Sequence, residues 1–518
     1  MYVSPLLRMH FARVSKVACG ALADALARLS GMVLDRTRLE KTLDTRIHPG
    51  VTEVAGVTHD SRAVEPGYAF VAVPGFKNDG AEFAEEALKR GASLIVAERE
   101  VAGCEAAVVS DARVALARLA CAVYGDPSGS MEVYGITGTN GKTTTSYALH
   151  GILAGAYGAG ECGLMTTAET ISGGERRPAG RTTPEAVEVQ GTFAEMLEKG
   201  VRRVVMEVSS HGIELERVTG TRFAGALFTN LTRDHLDLHG TMEEYYGAKR
   251  ELFYRTEGPK IANADDEWGR RLAGEVEGVT TFGETGDADY RVTGGRATRM
   301  GTAFTLRHPD GELNLETPLL GGYNVLNVAG AASLALAVGV DETKLGRSVR
   351  EMPQAPGRFE RVDTDLGFEV IVDYAHTDVG LAAVLEVARG VAKNGEEGRV
   401  LCVFGAAGDR DGAKRPLMGR VAAKLADRSI ITTDDAYSED PAKIAREVAA
   451  GVEPGRAEVL LDRRTAIREA LRGAREGDVV VVAGKGHERV QHLPDGDVPF
   501  HDASVVREIL YELGEKEG

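Results

Sequence analysis

Three absences narrow the class of this 518-residue chain. No apolar run reaches the roughly 18 residues that a membrane-spanning helix needs, so we predict no membrane anchor. The 61 basic residues are outnumbered by 78 acidic ones, and the net charge of -17 argues against a broad cationic surface for nucleic acid or anionic lipid. No two cysteines have the Cys-x-x-Cys spacing of a zinc module. Any phosphate-binding site must therefore be local.

The cysteines also argue against a disulfide framework, because they are scattered along the chain and odd in number. They are Cys19, Cys104, Cys121, Cys162 and Cys402. A reducing cytoplasm is therefore the predicted compartment. Basic and small residues open the chain, but Asp24 and Arg28 interrupt its best apolar stretch, which argues against a signal peptide. We interpret residues 1–35 as a helical extension.

A chain of this length is expected to form about three domains. Its hydrophobic fraction of 43% and charged fraction of 27% are ordinary for folded protein. Turn-rich joints lie at "GDPSGS", residues 125–130, and at "EMPQAPGRFE", residues 351–360. We therefore predict domains at 36–127, 128–354 and 355–518.

Short apolar runs alternate with helical stretches, which predicts an α/β fold. The strand candidates are "YAFVAVPG", "ASLIVAE" and "AAVVS" in the first domain, and "RRVVMEVSS" and "GALFTNLT" in the second. In the third domain "FEVIVDYAH", "RVLCVFGAAG", "RSIITTDDA" and "DVVVVAGKG" are separated by helical lengths, which predicts a parallel, doubly wound sheet. Ligands of such sheets bind beyond the carboxyl ends of the strands, so we predict a functional site there, between domains.

The stretch "VYGITGTNGKTTTSYAL" resembles a Walker A loop in which Ile136 stands where the first glycine belongs. A strand, a glycine-rich turn and a helix direct backbone N–H groups and the positive helix end at phosphate oxygens. Gly138 and Gly141 permit the tight turn. Lys142 can reach the outer phosphates, and Thr143 can ligate Mg²⁺. The motif predicts nucleoside triphosphate binding and does not specify the reaction.

Candidate metal ligands follow two later strands. Glu207 ends the apolar run of "VVMEVSSHG", where a Walker B carboxylate would stand. The stretch "FTNLTRDHLDLHG" supplies Asp234, His235, Asp237 and His239. Taken singly, each of these residues is more often a loop or helix-cap residue than a ligand. Because both stretches follow strands of one sheet, Glu207 and His235 are candidates for a second metal.

Ten sequence blocks between about residues 57 and 490 carry a family resemblance. They are "THDSRAVEPGYAFVAVPGFKNDG", "TGTNGKTTT", "RTTPE", "MEVSSHGIELERV", "FTNLTRDHLDLHGTMEEYYGAKRELF", "GYNVLN", "PGRFERV", "DYAHT", "GDRDGAKRPLMG" and "GKGHE". In this order they resemble the Mur ligases, the ATP-dependent amide-forming enzymes of peptidoglycan precursor synthesis, and among them the tripeptide synthetase (MurE) class. The displaced glycine of the phosphate loop is this family's own pattern.

The resemblance implies a three-domain α/β fold. An N-terminal domain would hold a uridine nucleotide, a central P-loop domain with a mostly parallel sheet would bind ATP, and a C-terminal Rossmann-like domain would bind an amino acid. The implied reaction joins a diamino acid to the D-glutamate of UDP-N-acetylmuramoyl-L-alanyl-D-glutamate through an acyl phosphate. The implied cofactors are ATP and two Mg²⁺ ions. We predict a cytoplasmic monomer with no nucleic-acid or membrane partner.

The family's motifs also imply roles for residues around ATP. The implied ATP-binding residues are Gly138, Thr139, Asn140, Gly141, Lys142, Thr143, Thr144, Asn324, Arg358, Asp373 and His376. The implied metal ligands are Thr143, Glu207, His235 and Lys249, the last as a CO₂-derived carbamate. The implied catalytic residues are Lys142, Glu207, His235 and Lys249. Composition alone favours a solvated helix lysine at Lys249, because a carbamate needs a neutral amine against a reference pKa near ~10.4.

Further roles are implied for the other two substrates. The implied UDP-substrate ligands are Ser61, Arg62, Thr182, Thr183, Ser209 and Arg217. The implied amino-acid ligands are Arg415, Asp434, Asp435, Gly484 and Glu488. Thr182 and Thr183 could otherwise be a helix cap before Pro184. Arg358 could equally be a salt-bridge partner at the domain joint.

The chain departs from the family at the amino-acid pocket. Diaminopimelate-adding members usually carry Asp-Asn-Pro-Arg, whereas this chain has "TTDDAYSEDP", with Ala436 and Tyr437 in place of proline and arginine. The loss of a bidentate arginine clamp, beside acidic residues, favours lysine or ornithine over diaminopimelate. Glu439 and Asp440 either add to this acidic site or only solvate a loop.

Two other functions stay open on the sequence. One is another ligase of the superfamily, such as the next Mur ligase or a folylpolyglutamate synthase. The other is a P-loop ATPase that switches state. A ligase should release phosphate mainly when acceptor and amine are both present, whereas a switch protein would hydrolyse ATP without them.

Overall fold

The structure is a computed structural model that describes residues 33–517 except 76–77, 235, 299–300, 393–397 and 454–455. The predicted helical extension at residues 1–35 lies outside the described residues up to residue 32, and so does the predicted metal ligand His235. In the part of the chain that is described, no helix is long and apolar enough to cross a membrane.

The N-terminal unit is a small α/β sandwich. Its strands are β1 (Leu34–Asp35), β2 (Glu53–Val54), β3 (Gly56–Thr58), β4 (Tyr68–Val71), β5 (Leu94–Ala97) and β6 (Ala106–Val108), and its helices are α1 (Arg36–Leu43), α2 (Ala84–Lys89) and α3 (Ala112–Val123). Strands β3 to β6 form a parallel sheet in chain order. The three strands predicted here are β4, β5 and β6.

The central unit contains an eleven-stranded sheet. Its strands are β7 (Glu132–Thr137), β8 (Cys162–Met165), β9 (Glu169–Ser172), β10 (Glu175–Pro178), β11 (Arg203–Glu207), β12 (Phe223–Phe228), β13 (Lys260–Asn263), β14 (Val279–Gly283), β15 (Tyr290–Thr298), β16 (Gly301–His308) and β17 (Gly311–Thr317). Its helices are α4 (Lys142–Tyr157), α5 (Ala186–Glu198), α6 (Ser210–Glu214), α7 (Leu236–His239), α8 (Met242–Tyr254), α9 (Glu267–Glu275), α10 (Gly322–Ala337) and α11 (Glu342–Glu351).

The middle of this sheet is parallel, in the order β8-β11-β7-β12-β13-β14-β15. Strands β9 and β10 at one edge and β16 and β17 at the other pair antiparallel. The carboxyl ends of β7, β11 and β12 therefore lie side by side, which brings together the loops that begin at Gly138, Val208 and Thr229.

The C-terminal unit contains a six-stranded sheet and a separate hairpin. Its strands are β18 (Glu360–Val362), β19 (Glu369–Asp373), β20 (Val400–Phe404), β21 (Arg428–Ile431), β22 (Ala457–Val459), β23 (Val479–Ala483), β24 (Val490–Leu493) and β25 (Gly496–Pro499), and its helices are α12 (Asp378–Ala392), α13 (Arg415–Leu425), α14 (Pro441–Ala449), α15 (Arg463–Gly473) and α16 (Asp502–Glu517). The order is β18-β19-β23-β20-β21-β22, parallel except for β18.

Strand β23 shows why this sheet is covered on both faces. Val479 and Val481 pack into the cluster that includes α12 and α13, whereas Val480 and Val482 pack into the cluster that includes α15 and α16. A run of apolar residues with no polar face is typical of a parallel strand between two helical layers. The predicted fold, three α/β units with mostly parallel sheets, is therefore confirmed.

Candidate active site

The glycine-rich loop lies between β7 and α4 and allows no side chain at two positions. Gly138 has a φ of 145° and Gly141 a φ of 85°. A Cβ on Gly138 would meet Thr229 Oγ1 at 1.9 Å, and one on Gly141 would meet Asn327 Oδ1 at 2.2 Å. The loop is thus pressed against the end of β12 and the start of α10. Asn327 was missed by the sequence reasoning, although it ends the quoted block "GYNVLN".

Two lysines converge on this loop from different helices. Lys142 Nζ donates to the carbonyls of Gly138 at 3.0 Å and Thr139 at 2.8 Å. Lys249 Nζ, from α8, donates to the same Gly138 carbonyl at 2.8 Å and lies 4.5 Å from the centre of the Tyr245 ring. Lys249 is only 1% exposed, so it is not the solvated helix lysine that composition favoured.

This arrangement disfavours a charged Lys249. Burial, and then the neighbouring charge of Lys142, lowers the pKa of Lys249 well below its ordinary value. Burial also lowers the pKa of Lys142, although the charge of Glu207 opposes that shift. Asp234 faces both ammonium groups, as its charge acts on the pKa of each. A lowered pKa makes loss of the proton from this buried ε-amine easier, and the neutral form of an amine is the one that reacts with CO₂.

Glu207 ends β11 next to the loop, since it pairs in register with Ile136 of β7. Its side chain is buried and accepts hydrogen bonds from Thr167 N at 3.0 Å and Thr167 Oγ1 at 3.2 Å. On the other side of the loop, Arg358 Nη2 donates to Thr143 Oγ1 at 3.2 Å. Arg358 therefore contacts the nucleotide loop directly.

The residues assigned to the muramoyl dipeptide meet beside Glu207. Thr183 Oγ1 donates to the Glu207 carbonyl at 3.0 Å and accepts from Ser209 N at 3.0 Å. Arg217 Nη1 donates to the Thr183 carbonyl at 3.1 Å, and the hydroxyl oxygens of Thr167 and Thr182 lie at a hydrogen-bond distance of 2.9 Å. The helix-cap alternative is wrong, because α5 begins at Ala186 and Glu185 is its N-cap.

Ser61 and Arg62 are placed elsewhere, in a 3₁₀ turn (Ser61–Ala63) after β3 of the N-terminal unit. Ser61 Oγ donates to Glu86 Oε2 at 3.1 Å. Arg62 pairs with Asp60, 2.8 Å from Nη2 to Oδ2. These two residues thus lie at the carboxyl end of a parallel strand, on a different unit from Thr183 and Ser209.

The predicted ATP-binding residues of the C-terminal unit lie around Arg358. Asp373, at the end of β19, accepts from Phe359 N at 2.6 Å and Ala375 N at 2.7 Å, and burial raises its pKa. His376 Nδ1 lies 2.8 Å from the Tyr374 carbonyl, and burial lowers the pKa of His376 to about 4, so this imidazole is neutral. The Arg358 guanidinium lies 4.5 Å from the centre of the Tyr374 ring.

A cleft separates the central and C-terminal units at this point. It is lined by Arg233 and Asp234 on one side and by Thr377, Asp411 and Lys414 on the other. The ends of β12 and β19 therefore face one another, as the rule for parallel sheets predicted.

An acidic cluster lies beyond β21 and β23 of the C-terminal sheet. Ligand oxygens of Asp434, Asp435 and Glu488 lie within 4.8 Å of one another. Lys485 Nζ donates to Asp435 Oδ1 at 2.7 Å and to Glu488 Oε2 at 2.8 Å. A Cβ on Gly484 would meet Asp434 Oδ2 at 2.2 Å, so the two loops touch. The structure thus brings together the predicted ligands of the amino-acid substrate other than Arg415. Lys485, which the sequence reasoning did not single out, belongs to the same cluster.

The environment of Glu488 makes it titrate near neutrality. Burial, reinforced by the charges of Asp434 and Asp435 and opposed by Lys485, raises the pKa of Glu488 to about 7. Tyr374 Oη donates to Glu488 Oε1 at 3.1 Å. This carboxylate can therefore accept an ammonium group when ionised.

The guanidinium of Arg415, a predicted amino-acid ligand, is paired through Nη1 and Nη2 with groups of its own unit, while its buried Nε has no hydrogen-bond partner among the described residues. Arg415 Nη1 donates to Glu447 at 2.6 Å, and Nη2 donates to Glu439 at 2.7 Å and to the Ala407 carbonyl at 3.0 Å. Its side chain is 3% exposed. In the same sequence block, the guanidinium of Arg410 lies 5.6 Å from the centre of the Tyr437 ring.

Glu439 and Asp440 each have a hydrogen-bond partner within the C-terminal unit. Arg415 lowers the pKa of Glu439 to about 2. Asp440 is the N-cap of α14 and accepts from Ala442 N at 2.9 Å. Both carboxylates are therefore used in contacts within the C-terminal unit.

Tyr437 stands in a wall of the acidic cluster. It has a φ of 47°, and its ring stacks on His492 of the hairpin β24–β25 with centroids 5.2 Å apart. Tyr437 N donates to the His492 carbonyl at 3.1 Å, and His492 N donates to Asp435 Oδ1 at 2.9 Å. The hairpin therefore fixes the loop that carries Asp434 and Asp435.

Comparison with family models of protein domains found three matches. The Mur ligase family, catalytic domain, matches residues 53–124; the Mur ligase middle domain matches residues 136–335; and the Mur ligase, glutamate ligase domain, matches residues 357–486.

Similar whole proteins were also found. The UDP-N-acetylmuramoyl-L-alanyl-D-glutamate--2,6-diaminopimelate ligase of Solibacter usitatus is 41% identical over 494 residues, which cover 93% of this chain and 98% of that protein. The ligase of the same name from Geobacillus kaustophilus is 42% identical over 482 residues, covering 90% and 97%. A solved structure of a ligase with this name aligns with a TM-score of 0.65 and 30% identity, covering 93% of this chain and all of that chain.

A more distant structure bears on the alternative ligase. Folylpolyglutamate synthase of Mycobacterium tuberculosis aligns with a TM-score of 0.59 and 18% identity, covering 70% of this chain and 91% of that one. Such a low identity shows a shared fold and nothing about the substrate.

Proposed function

The chain belongs to the Mur ligase family of ATP-dependent acid–amino-acid ligases, and from this premise we propose that it joins a diamino acid to the D-glutamate of UDP-N-acetylmuramoyl-L-alanyl-D-glutamate in peptidoglycan precursor synthesis. The observation that carries the proposal is that a phosphate-binding type of loop and an acidic cluster lie on two units that face each other across a cleft. The phosphate loop, with Glu207 beside it, faces the C-terminal unit, whose acidic cluster is suited to an amine.

The chemistry explains why such a ligase needs ATP. A carboxylate is a poor acyl donor because its leaving group would be oxide. Transfer of the γ-phosphoryl group to the D-glutamate γ-carboxylate forms an acyl phosphate. The amine nitrogen then attacks the acyl carbon, the C–N bond forms, and the C–O bond to phosphate breaks. Binding three substrates around one cleft would supply orientation, worth up to about 7–11 kcal/mol in favourable cases.

ATP would bind at the glycine-rich loop. The loop N–H groups and Lys142 would contact the phosphates, where a positive charge neutralises the transferring phosphoryl group. Arg358 already bridges from the C-terminal unit to Thr143, so nucleotide binding can draw the two units together. Asn324, Asp373 and His376 would frame the rest of the nucleotide.

Mg²⁺ would be held at the same loop, and the residues fit it. Thr143 offers a hydroxyl, and Glu207 offers a buried carboxylate whose partners are an N–H group and a hydroxyl of Thr167. We propose that Lys249 carries a CO₂-derived carbamate and, with Glu207 and His235, holds a second Mg²⁺. The buried amine and the adjacent Lys142 support this, because an anionic carbamate would remove the repulsion between two ammonium groups. Bound metal would supply charge neutralisation.

The residues that would bind the UDP-dipeptide and the diamino acid lie on different units. Thr182, Thr183, Ser209 and Arg217 would contact the muramoyl dipeptide, and Ser61 and Arg62 its uridine end. Asp434, Asp435, Gly484 and Glu488 would hold the diamino acid. We move the carboxylate-binding role from Arg415 to Arg410, because Nη1 and Nη2 of Arg415 are paired within the C-terminal unit.

The identity of the diamino acid is the finer part of the proposal. Lysine or ornithine is favoured by Tyr437, which stands where diaminopimelate-adding members usually carry arginine. Diaminopimelate is a second candidate, favoured by the substrate in the relatives' names and by the guanidinium of Arg410 beside Tyr437. The lysine or ornithine preference therefore depends on Tyr437 alone.

The test is to incubate the protein with ATP, Mg²⁺ and the UDP-dipeptide against lysine, ornithine and diaminopimelate separately. Mass spectrometry of the products identifies the substrate. A ligase releases phosphate mainly when dipeptide and amine are both present. Equal phosphate release without them would favour an ATPase switch, and turnover of a tripeptide or folate acceptor instead would favour another ligase.

Restoring the arginine at position 437 should shift the amino-acid preference. Tyr437→Arg is expected to raise kcat/KM for diaminopimelate relative to lysine by about 10- to 100-fold, because a bidentate guanidinium pairs with the distal carboxylate. Tyr437→Phe is the matched control, because it keeps the ring stacked on His492. A wild-type enzyme that already prefers diaminopimelate would show that the inference from Tyr437 is wrong.

The pKa of Glu488 predicts a pH dependence in the binding of the diamino acid. Below about pH 7 this carboxyl is protonated, so it loses its charge-assisted hydrogen bond to an ammonium. We expect KM for the diamino acid to fall about tenfold as the pH rises through that range. In Glu488→Gln this change should disappear while KM for ATP keeps its wild-type profile. An unchanged profile in Glu488→Gln would contradict the assignment.

A further inference from the structure

A buried ion pair joins the beginnings of two helices beneath the acidic cluster. Arg463 is the first residue of α15 and Asp502 the first residue of α16, and both side chains are 0% exposed. Arg463 Nε and Nη2 donate to the two carboxylate oxygens of Asp502, each at 2.8 Å. The pair thus has the two-pronged geometry that fixes orientation as well as distance.

The remaining contacts of Arg463 reach both loops of the cluster. Arg463 Nη2 donates to the Ala483 carbonyl at 2.9 Å, and Nη1 faces the Thr433 carbonyl at 3.5 Å. These carbonyls belong to the residues immediately before Gly484 and Asp434. One guanidinium therefore links the ends of β21 and β23 at the point where the proposed amino-acid ligands begin.

Helix stability does not account for this arginine. The first residue of a helix lies at its positive end, where a cation is unfavourable. Complete burial of a guanidinium is costly, and well-packed apolar side chains often replace such a pair without loss of stability. The next residue, Arg464, shows the ordinary alternative, since it pairs with Glu508 and Glu512 on the surface.

The charges around the cluster also involve Arg463. Asp434 and Asp435 are each 5% exposed, and their charges favour the protonated form of Arg463, together with Asp502. The ammonium group of Lys485 forms ion pairs with Asp435 and Glu488. The close approach of the loops leaves no room for a side chain at Gly484, whose added Cβ would lie 2.2 Å from Asp434 Oδ2 and 3.9 Å from Arg463 Nη2.

We propose that Arg463, held by Asp502, is a positioning residue for the diamino acid: it sets the spacing of the two loops so that Asp434, Asp435 and Glu488 converge on the substrate's ammonium group. The inference rests on the proposed function, because that function assigns the cluster to the diamino acid. It predicts that loss of the pair impairs use of the amine and spares activation of the acid.

The test separates these two steps. The double variant Arg463→Met, Asp502→Leu replaces the ion pair by apolar side chains. The variant Arg463→Lys keeps the positive charge but loses the bidentate hydrogen bonds to Asp502. KM for the diamino acid is expected to rise about 10- to 100-fold in both variants. Exchange of isotope between ADP and ATP, driven by the UDP-dipeptide without amine, reports acyl phosphate formation and should stay within about twofold of wild type. Arg464→Met is the matched control and should change neither measurement.

Two results would overturn the proposal. One is a folded double variant, judged by its thermal unfolding, with a wild-type KM for the diamino acid. The other is a loss of isotope exchange as large as the effect on the amine. Wild-type protein that joins no diamino acid would instead refute the proposed function, so the two failures are distinguishable.

Discussion

Replacing Lys142 with methionine is expected to lower kcat for ligation by about 10³-fold or more, because the transferring phosphoryl group loses its nearest fixed positive charge. Its ammonium is held by the loop carbonyls of Gly138 and Thr139, so it is oriented before ATP arrives. Little reorganisation is then needed during phosphoryl transfer.

The same variant should not lose stability. Burial lowers the pKa of Lys142, which means that folding places this ammonium in an unfavourable environment. Removing it should leave the midpoint of thermal unfolding unchanged or raised. A structural role would instead lower both the midpoint and the activity.

The control for this variant is a lysine of α11 that contacts the helix of Lys142. Lys344 Nζ donates to the Ala156 carbonyl at 3.1 Å, near the far end of α4, and is exposed. Lys344→Met should retain wild-type kcat within about twofold. Phosphate release and product formation, measured together with the unfolding midpoint, check the prediction. A Lys142→Met enzyme within tenfold of wild type would contradict it.

Replacing Lys249 is expected to lower kcat by about 100-fold or more, because an anionic metal ligand is lost. The variants Lys249→Met and Lys249→Arg should be equally impaired if the lysine acts as a carbamate. If it acts as a cation, arginine should restore much of the activity, because it keeps the charge near Gly138 and Tyr245.

A direct measurement can accompany the kinetics. Wild-type protein equilibrated with ¹³C-labelled bicarbonate should show a carbamate carbon signal in the NMR spectrum, and both variants should lack it. Activity of the wild type should fall when CO₂ is removed and return when bicarbonate is added. Absence of the signal in wild type, together with an active Lys249→Arg variant, would refute the carbamate.

The prediction from sequence succeeded where the information is local. Strands such as β19, β20, β21 and β23 are continuous apolar runs, and the loop of Gly138 and Gly141 is a short spacing of residue types. Both signals lie within about twenty residues, so the chain need not be folded to reveal them.

The sequence could not show which of several neighbouring charged residues are already paired within the protein. Arg410 and Arg415 lie in the same sequence block, "GDRDGAKRPLMG". Only the tertiary structure shows that Arg415 forms salt bridges with Glu439 and Glu447. The sequence left Glu439 and Asp440 open between an acidic site and a solvated loop, and in the structure both have partners in the same unit. Charge alone does not say whether a side chain is already paired.

The amino-acid pattern alone therefore decided the α/β class, the nucleotide loop and the family, because each depends on neighbours in the chain. Tertiary structure alone decided which charges meet: Lys249 with Lys142 at one carbonyl, Lys485 between two carboxylates, and Arg463 with Asp502 beneath them. These partners come from separate helices and loops. The pKa values of these side chains, and the hydrogen-bond donors they leave available, depend on burial and on distances between residues that are far apart in the sequence.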